Sequence, residues 1–309
     1  MAVAAVAVAA ADAVGAGAEM MPASQDRVGI GWRPELAAGI LEHLDEINAI
    51  EVLADDFFDA HDREIRALKT LASQVPVMLH GVAMGLAASS PVSERFIKPM
   101  AWLYERIRPE SWSEHLAFVR AGGIEIGHLA APPRTLQNVE CASQNIRRAA
   151  EIVGAKPSME NIATLIVPPG SELPESAWTA AILEAADCDL LLDLHNVLAN
   201  GSNHSYNPAS FLNEIPSERI RGIHIAGGRF ISAPDGRSRL LDDHLHDVPD
   251  PVFDLLQQTA ATCPNPLTVI LERDGAYPPI PELLGQLRRA RLALTRGRAQ
   301  QKVPLGMPV

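Results

Sequence analysis

The stretch GIGWRPEL, Gly29 to Leu36, follows the first short apolar run of the chain and decides between two folds. In a doubly wound α/β sheet this strand-to-helix turn usually reads G-x-G-x-x-G, because a pyrophosphate needs bare backbone against it. Pro34 stands where the third glycine would be. The phosphate turn is absent, so the open sheet loses its usual signature and a closed barrel becomes the expectation.

Working outward, short apolar runs recur as candidate strands at 28–31, 49–53, 75–80, 111–115, 156–161, 190–196, 220–227 and 266–272. Between them lie segments with apolar residues at helical spacing, such as REIRALKTLASQV, VSERFIKPMAWLYERI, NVECASQNIRRAAEIV and VFDLLQQTAATC. Asn138 and Ser176 stand where N-caps are expected, and Pro109 just past one helix end. Strands alternating with helices pair in parallel through right-handed crossovers, and eight such units close into a (β/α)8 TIM barrel. The segment 226–250, rich in Gly, Pro and charge, reads as a long functional loop after the seventh strand.

With 309 residues and 47% hydrophobic side chains the chain can bury one large core. A single barrel domain is expected over 26–294, with an Ala/Val-rich extension at 1–25 and a tail at 295–309. The extension has no Lys or Arg, and Asp12 interrupts it. It therefore lacks the positive start and strong apolar centre of a secretory signal, and reads as disordered or as a start-site artefact. Cys141, Cys188 and Cys263 are far apart and form no CxxC. That pattern predicts a reduced, cytoplasmic protein without a disulfide framework or a thiolate metal site. A net charge of -12 repels phosphate backbones and argues against general nucleic-acid binding. The absence of a membrane-length apolar run elsewhere argues against a spanning helix.

Polar residues recur where the strands end. Glu51, His80, Glu114 with His115, Glu160 with Asn161, Asp193 with Asn196, His224 and Glu272 close strands two to eight, and Asp242 and His244 lie in the loop after strand seven. In a barrel those ends converge on one mouth. Five carboxylates there (Glu114, Glu160, Asp193, Asp242, Glu272) either take up protons or have cations between them. No matching set of Lys or Arg ends these strands, and Arg273 alone follows Glu272. Two or three metal ions are the simplest balance, and imidazole plus carboxylate suits Fe, Mn or Zn. A lone histidine is more often a satisfied core residue than a ligand, so the inference rests on the recurrence. Glu51 reads equally well as a supporting ion-paired group. His195, two residues on from Asp193 along the strand, shares its face, so both can face the mouth, and it reads equally well as orienting a ligand from behind. Asp274 reads as support. His204 belongs to a loop or approaches the site. His43 and His61 read as surface, and His128 and His246 receive no assignment.

In this order the residues resemble the DUF692 family, the multinuclear non-haem iron-dependent oxidative enzymes. The carrying stretches are GIGWRPEL, IEVLADDFF, VMLHGVAMGL, SWSEHLAF, SMENIAT, LLLDLHNV, NHSYNP, IRGIHIAGG, LLDDHLHDVPDPV and ILERD, spread over about residues 28 to 290. The resemblance implies a xylose-isomerase-like barrel with two or three iron ions (Fe2+/Fe3+) and O2 as co-substrate, Zn or Mn being possible substitutes. It implies oxidative modification of a peptide natural product, often at cysteine, and a partner protein that presents the precursor peptide. Carried over by position, the metal ligands are His80, Glu114, His115, Glu160, Asp193, Asn196, His224, Asp242, His244 and Glu272. Glu160, Asp193 and His195 are the expected catalytic groups, with Glu160 the best candidate to bridge two ions. There are departures. The family's Asn-Asn reads His195-Asn196, its Asp-Thr-His reads Asp242-Asp243-His244, and its Glu-Trp-Asp reads Glu272-Arg273-Asp274. Asp243 competes with Asp242 if the loop register shifts, and Arg273 brings a cation near the site.

The leading expectation is an iron-dependent oxidoreductase acting on peptidyl cysteine in ribosomal peptide natural-product maturation. A divalent-metal sugar isomerase or phosphoesterase on the same barrel is the alternative, disfavoured by the acidic balance and the missing phosphate turn. A non-enzymatic scaffold or metal store ranks last, because every expected ligand is present. A homodimer and a heterodimer with the peptide-presenting partner are both compatible with the sequence.

Overall fold

The computed structural model describes residues 25–232 and 236–301. Its strands are β1 Arg27–Gly31, β2 Ile50–Leu53, β3 Val77–His80, β4 Ser111–His115, β5 Phe118–Ala121, β6 Ile124–Ala130, β7 Ser158–Glu160, β8 Asp189–Asp193, β9 Ile220–Ile225, β10 Arg229–Ser232, β11 Ser238–Leu241 and β12 Thr268–Leu271. Eight of them close a barrel in the order β1-β2-β3-β4-β7-β8-β9-β12, every pair parallel. The expected (β/α)8 barrel is therefore present, and each expected strand falls on a barrel stave.

Alternation along the staves builds the core. Outward residues such as Val28, Ile30, Val52, Leu79, Trp112, Leu190, Leu192 and Ile223 pack under the helices in one large cluster. Burying a side chain of that size contributes about 1.5–3 kcal/mol. Inside the barrel Ala49, Met78 and Ile270 form a separate, much smaller apolar group. The register aligns the stave ends, with His115 opposite Glu160 and Asp193 opposite His224.

Several local expectations are corrected. The stretch 190–196 is not strand throughout: β8 stops at Asp193, which caps the helix Leu194–His204 by accepting the Asn196 N–H at 2.6 Å. The loop 226–250 contains an antiparallel hairpin of β10 and β11. A second hairpin, β5 with β6, turns at Gly122 and Gly123, both at positive φ. The helix expected to start at Asn138 starts at Leu136 and is capped by Thr135, and Ser176 lies inside the helix Glu175–Ala186. The last helix spans Ile280–Gln301. Of the N-terminal extension only Gln25 is among the described residues, and so is the tail only as far as Gln301. No described helix is long and apolar enough to cross a membrane.

Candidate metal centre

Two donor groups form at the C-terminal ends of the staves, and Glu160 belongs to both. His80, His115 and Glu160 offer atoms within 4.8 Å of one another, as do Glu160, Asp193, His224 and Glu272. Glu160 Oε2 lies 3.4 Å from His80 Nε2 and 3.3 Å from His115 Nε2. Its other oxygen, Oε1, lies 3.2 Å from His224 Nδ1, which is also 3.0 Å from Glu272 Oε2. All these side chains are buried.

The histidines are held from behind. His80 Nδ1 meets Ser113 Oγ at 2.8 Å, which turns Nε2 toward Glu160. His224 Nε2 meets Glu51 at 2.9 Å, which turns Nδ1 toward Glu160 and Glu272. A hydrogen bond on one ring nitrogen sets which nitrogen faces a metal. Glu51 thus takes the supporting role. Glu114, expected as a ligand, is not in either group. Its carboxylate accepts the N–H of Met84 at 3.0 Å and of His115 at 2.8 Å, and it stands 3.5 Å behind His115 Nδ1.

Asp242 and His244 adjoin the two groups. Asp242 Oδ1 is 2.8 Å from His244 Nε2, and His244 Nδ1 is 3.5 Å from Glu272 and 3.2 Å from Asp274. His195 Nδ1 meets Asp242 Oδ1 at 2.7 Å. The two-residue face shared with Asp193 does not exist, because the chain is helical from Leu194. His195 sits behind Asp242, and Asn196, three residues on from Asp193, lines the mouth instead. Asp243 pairs with Arg229 and His246, so the register places Asp242 at the centre. Arg273 bonds the carbonyls of Gly275 and Ala276 and turns away from the mouth. The cation the sequence reading missed is Arg33, from the opening stretch, which lines the mouth and binds Asp274.

A second omission is a stripe of asparagines on the helix Leu194–His204. Asn196 donates to Asn161 O, Asn200 donates to Ile162 O and accepts from Thr164 N, and Asn203 exchanges hydrogen bonds with Leu240 N and O. Their spacing of four and three residues puts them on one face, and that face fastens the segment after Glu160 and the strand before Asp242 to one rod. The period was readable in the sequence, but amides at helical spacing carry no apolar signal.

The electrostatics show what the donors lack. Burial, then Asp242 and Glu160, push the Asp193 carboxyl well above the ordinary range. Burial opposes a charge on His115, but Glu160 and Glu114 outweigh it and raise the imidazole to about 9. In His224 the same opposition from burial is outweighed by Glu272, Glu51 and Glu160. His80 is pushed down to about 4 by burial. Among the described residues, buried oxygens without a hydrogen-bond partner gather here: Glu160 Oε2, Asp193 Oδ2 and Asn196 Oδ1. Buried groups of this kind normally find partners, so an arrangement that gathers unpaired oxygens beside imidazoles fits metal cations. The first group is two imidazoles and one carboxylate, a set that suits non-haem iron, and the second is rich in hard oxygen. Above the donors a cavity of about 750 Å3 opens outward between apolar residues including Leu129, Ile162, Leu165, Ile166 and Pro168.

Residues 27–295 match the family model described as RiPP precursor modification enzyme MbnB/TglH/ChrH. The chain belongs to this family. A UPF0276 protein of Streptomyces avermitilis is 36% identical over 271 residues, covering 84% of this chain and 54% of that protein, so the chain spans about half of that relative's length. A UPF0276 protein of Anaeromyxobacter sp. is 31% identical over 262 residues, 85% of this chain and 90% of that one. The structure of L-ribulose 3-epimerase superposes with a TM-score of 0.60 at 13% identity, covering 92% of this chain and all of that one, a likeness of fold. The family carries enzymes that modify RiPP precursors, and the fold, as expected, is the xylose-isomerase-like barrel.

Proposed function

We propose that this protein is an iron-dependent oxidative enzyme that uses O2 to modify a peptide, at cysteine, during maturation of a ribosomal peptide natural product. The observation that carries the reading is the pair of donor groups joined at Glu160, one of them a two-histidine, one-carboxylate set. Two or three iron ions held there would supply one-electron and O2 chemistry and a site for a substrate thiolate. The chain's own residues position the donors and line the mouth. Ser113 and Glu51 fix the rings of His80 and His224, and His195 holds Asp242. Leu129, Leu165, Ile166 and Pro168 line the mouth above the donors and give a peptide apolar contact. The sugar-isomerase alternative draws on a likeness of fold at 13% identity.

Precursor peptide and a peptide-presenting partner protein complete the proposed reaction, in the cytoplasm. The test is anaerobic purification with metal analysis, followed by coexpression with any short cysteine-containing reading frame and small partner gene found beside this one. More than one iron per chain and an O2-dependent change in peptide mass are expected. Stoichiometric zinc with no iron-dependent O2 consumption would reject the reading.

A further inference from the structure

The barrel holds a second cavity, about 410 Å3, on the face opposite the mouth. Its outer wall is made by residues at the starts of staves, among them Ser111, Ser158, Asp189 and Thr268. Barrels of this kind usually fill their interior with layers of bulky branched side chains. Here Ser113, Ser158 and Gly222 line the cavity beside the apolar Met78, Leu191 and Ile270. The cavity ends at Glu51 and Ser113. Those two side chains hold His224 and His80 at 2.9 and 2.8 Å, so the cavity stops one side chain below the metal donors.

Its charges are mixed and paired. Arg27 binds Glu110, and Arg221 stands 3.6 Å from Asp189. Such a rim selects neither anions nor cations, while hydroxyls and carboxylates along the walls give water the partners it needs to fill the space. We propose that the floor cavity is a narrow inlet that brings water and small neutral solutes, from the face opposite the mouth, up to Glu51 and Ser113, the side chains that orient His224 and His80. A peptide seated in the mouth then leaves these positioning side chains in contact with solvent from below. This inlet does not rest on the oxidative reading above.

A thiol placed at the ceiling by Leu191→Cys tests it in the full-length protein. Methyl methanethiosulfonate is the probe, and peptide masses report labelling at each cysteine. Cys188 and Cys263 are buried in the outer core and record breathing of the whole fold. The proposal expects position 191 to label about tenfold or more faster than Cys188, since a path needs no unfolding to admit the reagent. It also expects Ser111→Trp, at the exposed entrance, to slow that labelling severalfold. Labelling at 191 no faster than at Cys188, or a rate indifferent to Ser111→Trp, overturns it. Should Leu191→Cys not fold, Ser158→Cys on the cavity wall is judged by the same two criteria. Labelling needs neither O2 nor peptide, so failure of the oxidative reading leaves this result standing, and failure of the entrance leaves that reading intact.

Discussion

Glu160 is where the two donor groups meet, one oxygen in each. Glu160→Gln keeps the volume and removes the charge, and is expected to lower bound metal from more than one ion per chain to one or fewer, measured by plasma mass spectrometry. His195→Ala should leave the ions in place but weaken binding about 10–100-fold, because it frees Asp242 without removing a donor. His115 adds a pH signature. Its imidazole holds a proton up to about pH 9 in the metal-free protein, and a metal must displace that proton. Affinity at this site should rise by about tenfold per pH unit from neutrality and level off near that value, as competition titrations at several pH values would show. A fall in affinity with rising pH would exclude His115 as a donor. At this scale the sequence showed which residue types end the staves. It did not separate Glu114 from His115, because adjacent residues on a strand face opposite ways and only the register says which way is in.

The helix Leu194–His204 does more than follow a strand. Asn200 makes hydrogen bonds to Ile162 O, Thr164 N and the buried Glu175, all inside the protein. Asn200→Ala orphans each of these, at about 1–3 kcal/mol per buried group left unsatisfied. An overall loss of at least about 3 kcal/mol in denaturant unfolding is expected, together with weaker metal binding, since the segment after Glu160 loses its anchor. A stability change within about 0.5 kcal/mol would show that the stripe is not structural. The hairpins tell the same story from the other side. FVRAGGIEIGHLA carries Gly-Gly between alternating residues, a readable hairpin signal. The β10 and β11 hairpin lies in a stretch dominated by Gly, Pro and charge, where pairing is fixed by Asn203 on the distant helix rather than by local pattern.

For the molecule as a whole, the metal-free centre balances its carboxylates with protonated imidazoles. The folded pKa of His115, about 9, lies above its ordinary 6.5, so its contribution is fully present below pH 6.5 and is lost as pH rises toward 9. Chelated protein is therefore expected to lose thermal stability between those limits, while the metal-loaded protein, whose ions replace the protons, holds its midpoint. Parallel melting curves before and after chelation would reveal a difference that widens with pH. A difference that narrows would mean that burial, not charge, dominates the centre. The sequence by itself determined the barrel and the convergence of acid and imidazole at its mouth, because hydrophobic period and strand-end chemistry are local properties that each segment carries alone. Only the tertiary structure decided that His195 stands behind Asp242, that Arg33 rather than Arg273 reaches the mouth, and that a cavity rises from the floor of the barrel to Glu51 and Ser113. These depend on register, on the strand-to-helix switch at Asp193 and on which side chains meet across the axis, and no single segment encodes a relation between distant staves.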